Sequence, residues 1–354
     1  MFLTLADGSR YQGVGFGGTR ECRGEVVFNT GMTGYVEALT DPSYRGQILV
    51  LTYPLQGNYG VPERPWESAK IQVRGLVVTR HAASGSHRHS LRSLSEWMAA
   101  EDVPGLAGVD TRLLTRTLRE HGTMTGALTR EPAERLDTIE GVDMPNAARD
   151  ATPPGILREG PSDKRVLLID TGAKRSITTS LLSHGLGVVR APFYEDWEQF
   201  LGEVDGVVLS NGPGDPADLM PLVERVRGVF ATSLPIFGVC LGHQLLALAA
   251  GAKTYKLPYG HRSQNQPVMD LSRRRSYVST QNHGYAVLSE SLPRGWEPWF
   301  VNLNDDTNEG IRHGYRPIRS VQFHPEAAAG PRDTGYLFDD FAVLVSELKR
   351  PRRS

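Results

Sequence analysis

Between residues 165 and 250 the chain repeats one pattern, and that pattern leaves few folds open. A short apolar run is followed by a helix-forming stretch. Arg165-Val-Leu-Leu-Ile-Asp170 is the first such run, and 187–190, 206–210 and 235–239 repeat it. A run without a polar face suits a strand covered on both sides. Alternation with helices, here over 176–184 and 241–250, predicts an α/β fold with a doubly wound, mostly parallel sheet. Ligands in such sheets bind beyond the carboxyl ends of the strands.

The first 130 residues read differently. Residues 24–29, 47–52 and 72–79 predict strands, and Ser93 with Glu96 predicts a capping box at the start of a helix over 93–100. A second helix is expected over 110–121, with Leu113, Leu114 and Leu118 on one face and Gly122 as its stop. Prolines and glycines crowd 131–163 and predict a linker. The chain of 354 residues thus divides into a mixed α+β domain over 1–150 and the α/β domain over 164–354.

Composition narrows the function. Thirty-nine Lys and Arg face forty Asp and Glu, which argues against nucleic acid held by bulk basicity. Two cysteines exclude a disulfide framework, and their separation fits no zinc pattern, so no metal is expected. The most apolar stretch, 234–252, contains Cys240, His243 and Gln244 and reads as strand, turn and helix rather than a membrane span. A reducing, cytoplasmic setting is the expectation.

The chemistry is expected at the strand ends. Gly238-Val-Cys-Leu-Gly242 lies where a buried strand meets a helix, the pattern of a nucleophile elbow. Glycines on either side let neighbouring backbone approach. The helix start favours a thiolate, and the N–H groups after Cys240 are placed to hold an oxyanion. A lone cysteine is more often a structural core residue; the flanking glycines shift the balance. Ser320-Val-Gln-Phe-His-Pro-Glu326 ends a further apolar strand. Pro325 biases His324 to extended backbone, which puts His324 and Glu326 on one side, as nucleophile, base and orienting acid require. Leu209-Ser-Asn-Gly-Pro-Gly-Asp-Pro216 is a tight loop with exposable N–H groups, and 280–287 holds polar residues suited to an amide or amino-acid pocket.

These motifs together resemble the class I, or triad, glutamine amidotransferases. Phe28-Asn-Thr-Gly-Met-Thr-Gly-Tyr35, Leu39-Thr-Asp-Pro-Ser-Tyr44, Asp170-Thr-Gly-Ala-Lys-Arg175 and Gln281-Asn-His-Gly-Tyr-Ala-Val287 are similar to the small, glutamine-hydrolysing chains of carbamoyl-phosphate synthases. The resemblance covers nearly the whole chain. It implies that Cys240 attacks the amide of L-glutamine, that His324 serves as base and then acid, and that Glu326 orients His324. It implies glutamine contacts at Ser43, Gly212, Gly214, Leu241, Gln244, Asn282, Gly284 and Tyr285, with the Leu241 N–H in the oxyanion hole. Ammonia would pass to a large subunit that uses ATP and Mg. This chain has no phosphate-binding Gly-Lys loop, and no cofactor is expected on it.

The chain departs from the family's usual Gly-His-His-Gly-Gly-Asn-His run at Gly260-His-Arg-Ser-Gln-Asn-Gln266. Residues 302–307 are unfamiliar and predict a surface hairpin. His81, His87 and His89 suit a solvated loop, as does the basic tail 349–354 for a solvated end, and Cys22 is expected in a charged turn without a role. The rival readings are a free-standing γ-glutamyl hydrolase, the glutaminase of another synthase and a silent regulatory subunit. The Ser43 module argues against the first two, and the intact Cys240, His324 and Glu326 against the third.

Overall fold

The computed structural model describes residues 1–161 and 163–347, so the basic tail lies outside the described residues. The chain forms two compact units, Met1–Ala147 and Ala148–Ser354.

The first unit is built on an eight-stranded mixed sheet. Its centre is a parallel run of Cys22–Asn29, Gln47–Gln56, Gly75–His81 and Pro104–Ala107, flanked on both sides by antiparallel strands. Helix Leu94–Ala100 begins in the expected capping box, with both reciprocal bonds between Ser93 and Glu96 formed. Helix Thr111–His121 is capped by the Asp110 carboxylate. Leu114 and Leu118, four residues apart, are buried. Leu113 lies about 100° round the helix from Leu114 and is 51% exposed, so the expected three-leucine face holds only two. Cys22 is not in a turn. It opens a strand and is wholly buried. His87 and His89 are exposed in a loop, whereas the His81 ring stacks on Phe16.

The stretch expected as a linker carries more structure than its composition suggests. Helix Ala147–Ala151 and strand Leu157–Glu159 form within it, and the strand pairs antiparallel with Gly187–Pro192 at the edge of the second sheet. Every residue of that strand is exposed, so no apolar alternation marks it.

In the second unit five parallel strands run side by side in the order Gly187–Pro192, Arg165–Asp170, Gly206–Leu209, Ile236–Val239, Ile318–Val321. Alternate residues of each strand feed separate cores. Leu167, Ile169, Val207, Leu209 and Ile236 pack under helices Met220–Val229 and Leu241–Ala250. Val166, Leu168, Val208, Phe237 and Val239 pack under Arg175–Ser183 and Tyr336–Glu347. Each such side chain contributes roughly 1.5–3 kcal/mol of burial, and both faces gain it. An antiparallel arm extends this sheet through Asn308–His313, Trp296–Asn302, Thr254–Asp270 and Arg275–Val287. The hairpin expected near 302–307 forms between the first two strands of the arm. No described helix is long and apolar enough to cross a membrane.

Candidate active site

Strands Ile236–Val239 and Ile318–Val321 are parallel neighbours, with Val239 opposite Val321. Their carboxyl ends therefore deliver Cys240 and His324 to the same edge of the sheet. Cys240 sits at φ 54° and ψ −107°, a conformation that side chains rarely adopt, directly before helix Leu241–Ala250. The flanking glycines have a steric reason. A Cβ on Gly242 would lie 2.2 Å from the Leu209 carbonyl oxygen, and one on Gly238 would lie 2.7 Å from that of Gly242. The Cys240 N–H donates to the Val321 carbonyl at 2.9 Å, and its Sγ lies 3.5 Å from the Asn282 carbonyl oxygen. Leu241 is the first residue of the helix, where backbone N–H groups lack intrahelical acceptors.

His324 is held from both ends. Its backbone N–H donates to the Thr280 carbonyl at 2.9 Å, and its Nδ1 lies 2.6 Å from Glu326 Oε1. Lys174 Nζ donates to the same carboxylate oxygen at 2.9 Å and to the Ala328 carbonyl at 2.9 Å. All three side chains are buried. Burial opposes a charged His324, but the Glu326 carboxylate outweighs it with help from the Cys240 thiol, and the imidazole is pushed up to about 10. Burial likewise opposes a charged Glu326, but Lys174 and His324 pull that carboxyl down to about 2.

The remaining predicted residues of this unit line neighbouring loops and the antiparallel arm. Gly212 is tight: a Cβ there would lie 2.1 Å from the Thr171 carbonyl oxygen. Gly214 has φ +97°. Gln244 donates through Nε2 to the Tyr285 carbonyl at 2.9 Å and to Gln322 Oε1 at 3.0 Å, tying the Cys240 helix to segment 282–285. Asn282 is buried, and Gly284 and Tyr285 follow it in the strand Arg275–Val287. Ser43 belongs to the first unit. There it is buried in a one-turn helix and donates its N–H to the Asp41 carboxylate at 2.9 Å.

Lys174 was not singled out from the sequence. The available signal is its position at a strand end in Asp170-Thr-Gly-Ala-Lys-Arg175, where a lysine ordinarily reads as solvated. Asn211 secures it, accepting the Lys174 N–H on Oδ1 at 2.9 Å. On the arm, His261, His283 and Glu309 bring potential ligand atoms within 4.8 Å of one another. Their ring nitrogens are already engaged. His261 lies between Asp305 (2.9 Å) and Glu309 (3.4 Å), and His283 between the Tyr285 carbonyl and Gln281 Oε1. His261 and Glu309 thereby link strands Thr254–Asp270 and Asn308–His313.

Two family descriptions match. "Carbamoyl-phosphate synthase small chain, CPSase domain" covers residues 3–128 and "Glutamine amidotransferase class-I" covers 167–344. The carbamoyl phosphate synthase small chain of Symbiobacterium thermophilum is 48% identical over 96% of this chain and 97% of its own. The chain belongs to the carbamoyl phosphate synthase small chain family. The arginine-specific small chain of Aspergillus fumigatus is 45% identical, across 98% of this chain and 80% of its own length. A carbamoyl phosphate synthase small chain with a glutamine amidotransferase domain accounts for both units: each family description falls within one of them.

Proposed function

We propose that this small chain hydrolyses L-glutamine through Cys240, His324 and Glu326 and supplies the ammonia to a large ATP-using chain. The observation that carries the reading is Cys240 on its strained junction, next to the strand end that presents the buried His324–Glu326 pair. In this reading the reacting pair is a Cys240 thiolate and a charged His324 imidazole. The thiolate attacks the carboxamide carbon, and the oxygen takes up negative charge facing the helix-start N–H groups, that of Leu241 among them. The intermediate collapses, the C–N bond breaks, and His324 gives its proton to the departing nitrogen. A γ-glutamyl thioester and ammonia result. Water then attacks the thioester, His324 takes a proton from it, and glutamate leaves as the thiolate re-forms. Glu326, itself held by Lys174, keeps Nδ1 occupied so that Nε2 faces the reaction.

Gln244, Gly212, Gly214 and segment 282–285 supply substrate contacts in this reading, and Ser43 is carried by the family resemblance alone. Carbamoyl phosphate forms from bicarbonate on the large chain, which holds ATP and Mg. Two free thiols support a reducing, cytoplasmic setting. The test is reconstitution with the large chain. Cys240→Ser is expected to abolish glutamine-dependent carbamoyl phosphate synthesis and to leave ammonia-dependent synthesis intact. Retained glutamine dependence would overturn the nucleophile assignment.

A further inference from the structure

We propose that Arg262 anchors the α-carboxylate of the amino acid whose side-chain amide faces Cys240. This rests on the glutaminase reading and adds to it a residue that selects the substrate by charge.

Arg262 lies on strand Thr254–Asp270 directly opposite Asn282. The ladder is irregular between Lys256 and His261 and again between Ser263 and Gln266, so Arg262 occupies a short paired segment between two interruptions. Such interruptions re-aim side chains near sites. The residue is only 6% exposed. Its Nη1 donates to the Tyr259 carbonyl at 2.7 Å, and its Nε is buried with no acceptor. Among the described residues no carboxylate pairs with it. A guanidinium cannot discharge itself by losing a proton, so its burial calls for a counter-charge.

The surroundings leave the guanidinium a slot. A Cβ on Gly260 would come within 2.5 Å of Nη1, and one on Gly284 within 3.1 Å of Nη2. Two glycines thus let the charge lie against the backbone of the segment proposed to bind substrate. The span also fits. Asn282 presents its carbonyl oxygen 3.5 Å from Cys240 Sγ. Gly284, two residues further along the strand, lies about 6–7 Å on. Four carbon–carbon bonds separate the δ-carbon of glutamine from its carboxyl carbon, about 5 Å when extended. A glutamine laid along 282–284 with its amide at the thiol brings its carboxylate to the guanidinium.

The test compares L-glutamine with 4-aminobutanamide, which is glutamine without the α-carboxylate, by ammonia release from the wild-type chain and from Arg262→Met and Arg262→Lys. A charge-assisted bond of this kind is worth about 10- to 100-fold. Arg262→Met is expected to lower kcat/KM for L-glutamine by that factor, mainly through KM, and to leave the analogue within about twofold. Arg262→Lys should recover part of the loss for L-glutamine alone. Equal losses on both substrates, or no loss on L-glutamine, overturn the proposal. If Arg262→Met does not fold, the substrate comparison in Arg262→Lys decides alone, since a purely structural role lowers both substrates together. Failure of the wild-type chain to release ammonia from L-glutamine would instead overturn the glutaminase reading itself.

Discussion

The molecule contains two buried cysteines, and only one of them is placed to react. Cys22 is wholly buried at the start of a regular strand, and burial pushes its thiol up to about 11 although Arg74 and Arg20 pull the other way. Cys240 is almost as buried, at 3% exposed, but it sits at φ 54° where a strand becomes a helix. The imidazole of His324, charged over most of the pH range, lies beside it. Burial alone makes a thiol inert. On the proposed function, backbone strain, a helix start and a held cation set the reacting thiol apart.

The largest effect expected from breaking this contrast is kinetic. Cys240→Ser should reduce glutamate release by at least about 10³-fold, whereas Cys22→Ser should leave it within about twofold. Comparable losses at both positions would erase the distinction. The next effect is on stability. Lys174→Met removes one member of a buried ion pair with side chains 3% and 0% exposed. Urea denaturation should show a loss of roughly 3 kcal/mol, the low end for such a change, because His324 still faces the carboxylate. Among the described residues no ion pair of this kind faces Cys22, so its replacement should cost less.

Glycine substitutions test whether the junction is sterically required. Gly242→Ala forces a methyl group to 2.2 Å from the Leu209 carbonyl oxygen and should destabilise by about 1–3 kcal/mol in thermal unfolding, with loss of activity. Gly228, in helix Met220–Val229, has nothing within 4 Å of a built Cβ, and Gly228→Ala should stabilise by roughly 0.5–1 kcal/mol.

A further effect is expected in pH dependence. His324 titrates near 10 in the folded chain against an ordinary 6.5. Its stabilisation is complete below 6.5 and is lost as pH rises through 10. Glu326 works in the opposite sense. Titrating near 2 against an ordinary 4.5, it stabilises above 4.5 and loses that as pH falls through 2. Wild-type stability should therefore decline between pH 6.5 and 10 more than that of His324→Asn. Equal slopes in the two would remove the charged pair from the account.

The sequence made the parallel core and the elbow legible because both follow local rules. Apolar runs mark strands covered on both faces, and Gly238 and Gly242 mark a crowded turn. Cys22 was misread because Arg20, Glu21 and Arg23 surround it in sequence, whereas alternation along a strand turns Cys22 itself into the core. The partners of the site were legible only in part. Lys174 meets Glu326 across 152 residues, and no local pattern announces that a lysine in a loop will be buried. Strands Thr254–Asp270 and Arg275–Val287 carry polar residues turned inward into hydrogen-bonded pairs, so they show no apolar stripe. They nevertheless hold Asn282, Gly284 and Arg262.

The most direct test is to quench the chain in acid during turnover of L-glutamine and to map covalent additions by mass spectrometry. One γ-glutamyl group is expected on the peptide containing Cys240 and none on that containing Cys22. A γ-glutamyl group on Cys22, or steady glutamate release from Cys240→Ser, would contradict this expectation.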